Sequence, residues 1–163
     1  MPARARRDPA AALRDAVAAQ RALLGVDPEG LDADVDALLT LVVAGLDRPE
    51  PVGPDRGALR LVVKALAERL AQTAPGRHVE ARIPPYAAVQ CVEGPRHTRG
   101  TPPNVVEADP VAFVLLCTGR LAWAAAAADG RVRTWGDRAD LSPYLPLPDP
   151  VSPGAARRSP ETS

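Results

Sequence analysis

Lysine is nearly absent from this chain. Lys64 is the only one, and arginine supplies the rest of the basic charge. Lys plus Arg and Asp plus Glu stand at 20 each. That balance argues against a dedicated nucleic-acid binder, which normally presents a basic face. It argues equally against a module that holds anionic membranes by charge. Abundant Arg, Ala and Pro match GC-rich coding DNA, so the arginine count is not read as function. Cysteine is scarce too. Cys91 and Cys117 sit inside apolar runs, with no zinc spacing between them, and read as small buried hydrophobes. A disulfide framework is not expected from so few cysteines in a chain of 163 residues.

Other absences narrow the field. No apolar run approaches the roughly 18 residues of a membrane helix. The basic start MPARARRDPAAALRDAV lacks the apolar region of a secretory signal, so the expected compartment is the cytoplasm. There is no Walker A loop, GxGxxG, HExxH or GxSxG, and the carboxylates form no paired motif. No catalytic residue, metal or cofactor is expected on these grounds. The length fits one domain, with room for a helical appendage.

What is present begins as helix. Asp8-Pro9 is a cap followed by proline at the first helical position. Leu13, Val17, Leu23 and Leu24 follow, and Gly25 can end the helix. A second helix starts near Asp32, with a broad apolar face of Val35, Leu38, Leu39, Val42, Val43 and Leu46. The polar, Pro/Gly-rich stretch 47–57 reads as a linker. Leu59, Val62, Val63, Leu66 and Leu70 then give the clearest helical period.

After residue 77 the period changes. HVEARI (78–83) alternates as a half-buried strand, with His78 on its solvated side. YAAVQCV (86–92) is apolar on both faces except Gln90 and is expected to be central. NVVEA (104–108) is a third strand. Asp109-Pro110 repeats the cap signal before a helix through Cys117. Another helix covers 121–128, RVRTWG (131–136) is a strand, and RADLSPYLPL closes as a short helix or turn. Residues 148–163 lack the hydrophobicity to order themselves. The expected organisation is a three-helix region at 1–76, an α+β unit at 77–147 and a disordered tail.

Three features are candidate sites. VEGPRHTRGTPPN (92–104) holds Arg96, His97 and Arg99 between two strands. Arginine forks and free N–H groups suit an anionic headgroup. A proline-stiffened loop tied down by its own hydrogen bonds is the alternative. Cys91, Glu93 and His97 contain the Cys-His minimum for nucleophilic catalysis. Yet Cys91 sits in a strand that reads as buried, where a thiol stays inert, and no further metal ligand is near. Finally FVLLC (113–117), LAW (121–123) and Trp135 cluster as ordinary core or as the wall of a lipid cavity.

ADPVAFVLLCTGRLAWAAAAADGRVRTWGDRADLSPYLPL resembles the C-terminal half of sterol-carrier-protein-like domains. The matching pieces are Thr118-Gly119-Arg120-Leu121, Gly130-Arg131-Val132 and Gly136-Asp137. VEARIPPYAAVQCVEGPRHTRGTPPNVVEADP is similar to the bacterial sterol-carrier orthologue domain of actinobacterial sterol carrier family proteins. The resemblance covers about residues 77–147. It implies a mixed sheet of about five strands, helices packed on one face and an apolar tunnel between them. It also implies binding of a fatty acid, acyl-CoA or other lipid, sterol-like ones included, rather than catalysis. The general fold is similar to the C-terminal domain of mycothiol-dependent maleylpyruvate isomerases. Their metal site lies in a separate helical domain, and no His precedes His78 here, so that chemistry is not carried over. On this reading Val89, Phe113, Leu116, Leu121 and Trp123 bury the ligand, while Arg96, His97 and Arg99 meet its polar end. The competing expectation is an interaction module with a solid core, whose N-terminal helices, the 59–70 face above all, pair with another subunit.

Overall fold

A computed structural model describes residues 8–27, 33–95 and 104–148. Three helices come first: α1 (Pro9–Leu24), α2 (Val35–Leu46) and α3 (Arg56–Thr73). Each begins at an aspartate. Asp8 accepts a hydrogen bond from the Ala10 N–H at 3.1 Å, Asp34 from Ala37 at 2.6 Å and Asp55 from Ala58 at 3.0 Å. Such caps satisfy helix N–H groups that have no partner within the helix. The Asp32 expected near the start of α2 lies outside the described residues.

Helix α3 runs through the middle of the helical layer. Val62, Val63 and Leu70 are fully buried, as are Leu38 and Val42 of α2. It packs against α1, α2, the strand β2 (Ala87–Cys91) and the helix α4 (Pro110–Cys117). The apolar face proposed to pair with another subunit is therefore covered by the chain itself. Leu23 of α1, by contrast, is exposed.

The remaining elements are β1 (Val79–Ile83), β3 (Asn104–Ala108), α5 (Trp123–Ala128), β4 (Val132–Trp135) and a 3-10 turn at Ser142–Tyr144. The fold is α+β, as expected. Among the described residues the sheet has four strands, in the order β2-β1-β3-β4. That is the number of strands the alternation predicts and one fewer than the resemblance implies. β1 pairs antiparallel with β2 and parallel with β3, and β3 pairs antiparallel with β4. Val79, Ala81 and Ile83, with Val106 and Ala108, point to the helices and are buried. Glu80, Arg82, Val105 and Glu107 alternate with them on the outer face and are only partly covered.

Three expectations are corrected. β2 is an edge strand, not a central one: Ala88 and Gln90 are exposed. Pro84 and Pro85 make a short turn that lays β2 beside β1, while β3 takes β1's other side. His78 is buried rather than solvated, because the chain after β2 folds back over it. Trp135 is half exposed, paired with Val105 away from the helices, and does not join the core cluster. No helix among the described residues is long and apolar enough to cross a membrane.

Burial of α3 predicts the stability of the whole. Leu70→Ala is expected to cost about 2–5 kcal/mol in urea unfolding. Asp109→Ala, which removes the cap of α4 at the Ala112 N–H, is expected to cost only about 0.5–2 kcal/mol. Equal small losses from both would contradict the central role of α3.

Candidate functional site

The wall expected to hold a ligand is filled. Phe113 and Leu116 are buried, and Trp123 partly so. With Ala81, Ile83 and Leu141 they surround a void of about 10 Å³, room for one water at most. Val89 lies on the helix-facing side of β2, opposite Ala81. Leu121 is partly buried in the turn after α4. Neither borders that void.

Arg96, His97 and Arg99 lie outside the described residues, but both ends of their segment are held at one place. Val92 turns the chain with φ of 65°, a conformation a β-branched residue adopts only under constraint. Its N–H donates to the Ala74 carbonyl at 2.7 Å, and its carbonyl accepts from the His78 N–H at 3.0 Å. Gly76 makes the approach feasible: a Cβ there would stand 2.0 Å from the Val92 oxygen. Gly94 lies so close over His78 that its Cβ would meet the imidazole at 2.4 Å. At the other end the Asn104 amide Nδ2 reaches His78 Nε2 at 3.1 Å and donates to the His78 carbonyl at 3.2 Å. Asn104 Oδ1 accepts from the Arg138 N–H at 2.9 Å. That last bond orients the amide, so Nε2 is assigned as the acceptor and Nδ1 carries the proton. The polar segment thus leaves and rejoins the fold at a buried, hydrogen-bonded histidine.

A larger cleft lies elsewhere. It encloses about 600 Å³ and is partly open to solvent. Leu39, Val43 and Ala44 of α2 form one side, Leu66 of α3 and Cys117 of α4 the floor, and Pro146 to Pro148 the other side. The Leu147 N–H donates to the Cys117 carbonyl at 2.9 Å, and so holds the closing segment against the end of α4. Two ion pairs stand in the lining. Arg69 pairs with Asp36 in the first turn of α2. Arg120 donates from Nε to Asp47 Oδ1 at 2.9 Å and Oδ2 at 2.8 Å, at the other end of that helix. Among the described residues, none of the ligand contacts expected from sequence (Val89, Phe113, Leu116, Leu121 and Trp123) borders this cleft. One signal pointed to it: the apolar stripe of α2 is wider than one packing contact needs. Leu38 and Val42 fill the core, and Leu39 and Val43 turn toward the cleft.

The family described as "Bacterial SCP ortholog" matches residues 55–147, more than half of the chain. The chain belongs to this bacterial sterol-carrier-protein-like family. The match starts at Asp55, the cap of α3, so it takes in α3 as well as the sheet. No curated protein matches the chain.

Thiol chemistry finds little support in the geometry. Cys91 and Cys117 are both buried and free. Burial pushes the Cys91 thiol from its ordinary 9.0 up to about 11, and pushes Cys117 further in the same direction. Both therefore stay protonated at neutral pH, and a thiol is a poor nucleophile. No group of His, Cys, Asp or Glu among the described residues is placed to hold a metal ion. A disulfide reagent at neutral pH is expected to leave both thiols of the folded chain unmodified and to label both in urea. Because the folded thiol titrates above the unfolded one, its contribution to stability is complete below pH 9 and is lost as pH rises toward 11. The unfolding midpoint should fall across that window, and less steeply in Cys91→Ala.

Proposed function

We propose that this chain binds and carries a small apolar molecule, without catalysing a reaction on it. The observation that carries the reading is the 600 Å³ cleft with its apolar floor, a volume in the range of small-molecule sites. Membership of a sterol-carrier-protein-like family supports the same class of ligand. A fatty acid, an acyl-CoA or another lipid would present a long chain to Leu39, Val43, Leu66 and Leu147. Each Å² of apolar surface removed from water contributes about 25 cal/mol, so affinity needs no reacting group. The compact sheet–helix layer around Phe113 and Leu116 then supports the cleft rather than receiving the ligand.

Filling the cleft tests this. Ala44 borders it from an exposed position, so Ala44→Trp adds volume there without crowding the core. Displacing about 60 Å² of ligand contact costs about 1.5 kcal/mol, or roughly tenfold in affinity. Displacement of Nile red by lauryl alcohol should weaken by that factor in Ala44→Trp, with the melting temperature unchanged. Equal affinity in both proteins would remove the cleft from the proposal, and no binding by either would remove the carrier function.

A further inference from the structure

Among the described residues, every charged group that lines the cleft faces its opposite. Asp36 and Asp47 contribute two negative charges, Arg69 and Arg120 two positive ones, and each arginine is paired with one of the aspartates. The described lining carries no net charge to attract an anion. A carboxylate approaching either guanidinium also meets the aspartate bonded to it.

Each guanidinium keeps N–H groups beyond those it gives its aspartate, whereas the hydroxyl protons in the lining are spent. Thr40 Oγ1 donates to the Asp36 carbonyl at 2.9 Å, and Thr118 Oγ1 to the Val114 carbonyl at 2.8 Å. Each hydroxyl has one proton, and here it is spent on the helix's own backbone. What these hydroxyls retain are oxygen lone pairs, and the two carboxylates add more. An ionised carboxylate has no hydrogen to offer those acceptors. An alcohol or a primary or secondary amide does.

From this arrangement we infer that the cleft selects ligands whose polar end is uncharged and donates a hydrogen bond, and disfavours fatty carboxylates. The inference rests on the carrier reading above and narrows its ligand class to apolar chains or ring systems ending in a hydroxyl or an N–H amide. The pairs are partly exposed, with side chains between 24% and 49% accessible, so each is individually weak. Discrimination is therefore several-fold, not orders of magnitude.

The test compares two ligands with the same chain, lauryl alcohol and laurate, by displacement of Nile red from the full chain at neutral pH. The alcohol is expected to bind roughly fivefold tighter, the scale on which one exposed ion pair acts. In the double variant Asp36→Asn/Asp47→Asn both arginines lose their carboxylates, and the preference should shift toward laurate by a similar factor. Arg120→Gln leaves Asp47 uncompensated and should shift it the other way, which keeps the inference testable if the double variant fails to fold. Tighter laurate binding by the unaltered chain overturns it, as does an alcohol-to-laurate ratio that no variant moves. A laurate preference abolished by Arg96→Ala/Arg99→Ala also overturns it and assigns the polar end to segment 92–104. If neither ligand displaces the probe, the carrier reading itself has failed, an outcome distinct from a wrong headgroup preference.

Discussion

Burial of one helix organises this molecule. Val62, Val63 and Leu70 of α3 lose all contact with water, and Leu66 nearly all. At about 1.5–3 kcal/mol for each fully buried aliphatic side chain, this stripe is among the largest favourable contributions in the fold. Both ends of the helix are tied to other elements. Asp55 caps its start, and the Asp55 N–H donates to Gln20 of α1 at 2.8 Å. At its end the Ala74 carbonyl receives the N–H of Val92. Helical region and sheet therefore share one core cluster, which runs from Ala16 to Leu147.

The cleft follows from that arrangement. α2 packs on α1 and α3 with part of its apolar stripe, and among the described residues no helix packs against the remainder. The chain after the 3-10 turn comes back to α4, where the Leu147–Cys117 bond fixes it across the gap. Space is left between these surfaces, and the Arg69–Asp36 and Arg120–Asp47 pairs tether the two ends of α2 around it. The sheet–helix layer has no such mismatch. Small residues on β1 and β3, Ala81 and Ala108, face Phe113 and Leu116, which occupy the room.

Local structure was legible wherever one residue carries its own mechanism. Asp8-Pro9 and Asp109-Pro110 mark helix starts through capping and a fixed proline φ, and both helices begin there. NVVEA, read as a short strand, covers the five residues that form β3. The family was legible too, from the turns around Gly119, Gly130 and Gly136. Spatial neighbourhood was not. The composition of β2 says that its residues are small and apolar, but not that only one strand lies beside it. His78 sits where alternation predicts solvent, yet Asn104 and Gly94 cover it from positions far along the chain. The cleft draws on four separated stretches of sequence, near residues 36–47, 66–69, 117–120 and 146–148. No local period links them, and only the excess width of the α2 stripe hinted at a second surface.

The proposed carrier function places an apolar ligand between α2, α3 and the end of α4. Methyl-labelled NMR spectra recorded while lauryl alcohol is added to the full chain locate it most directly. The methyl signals of Leu39, Val43, Leu66 and Leu147 are expected to shift together and saturate, while those of Ala81, Val106 and Leu141 hardly move. Saturable shifts confined to Ala81, Val106, Leu116 and Leu141 would contradict that placement, because the ligand would then have opened the sheet–helix layer that this structure fills.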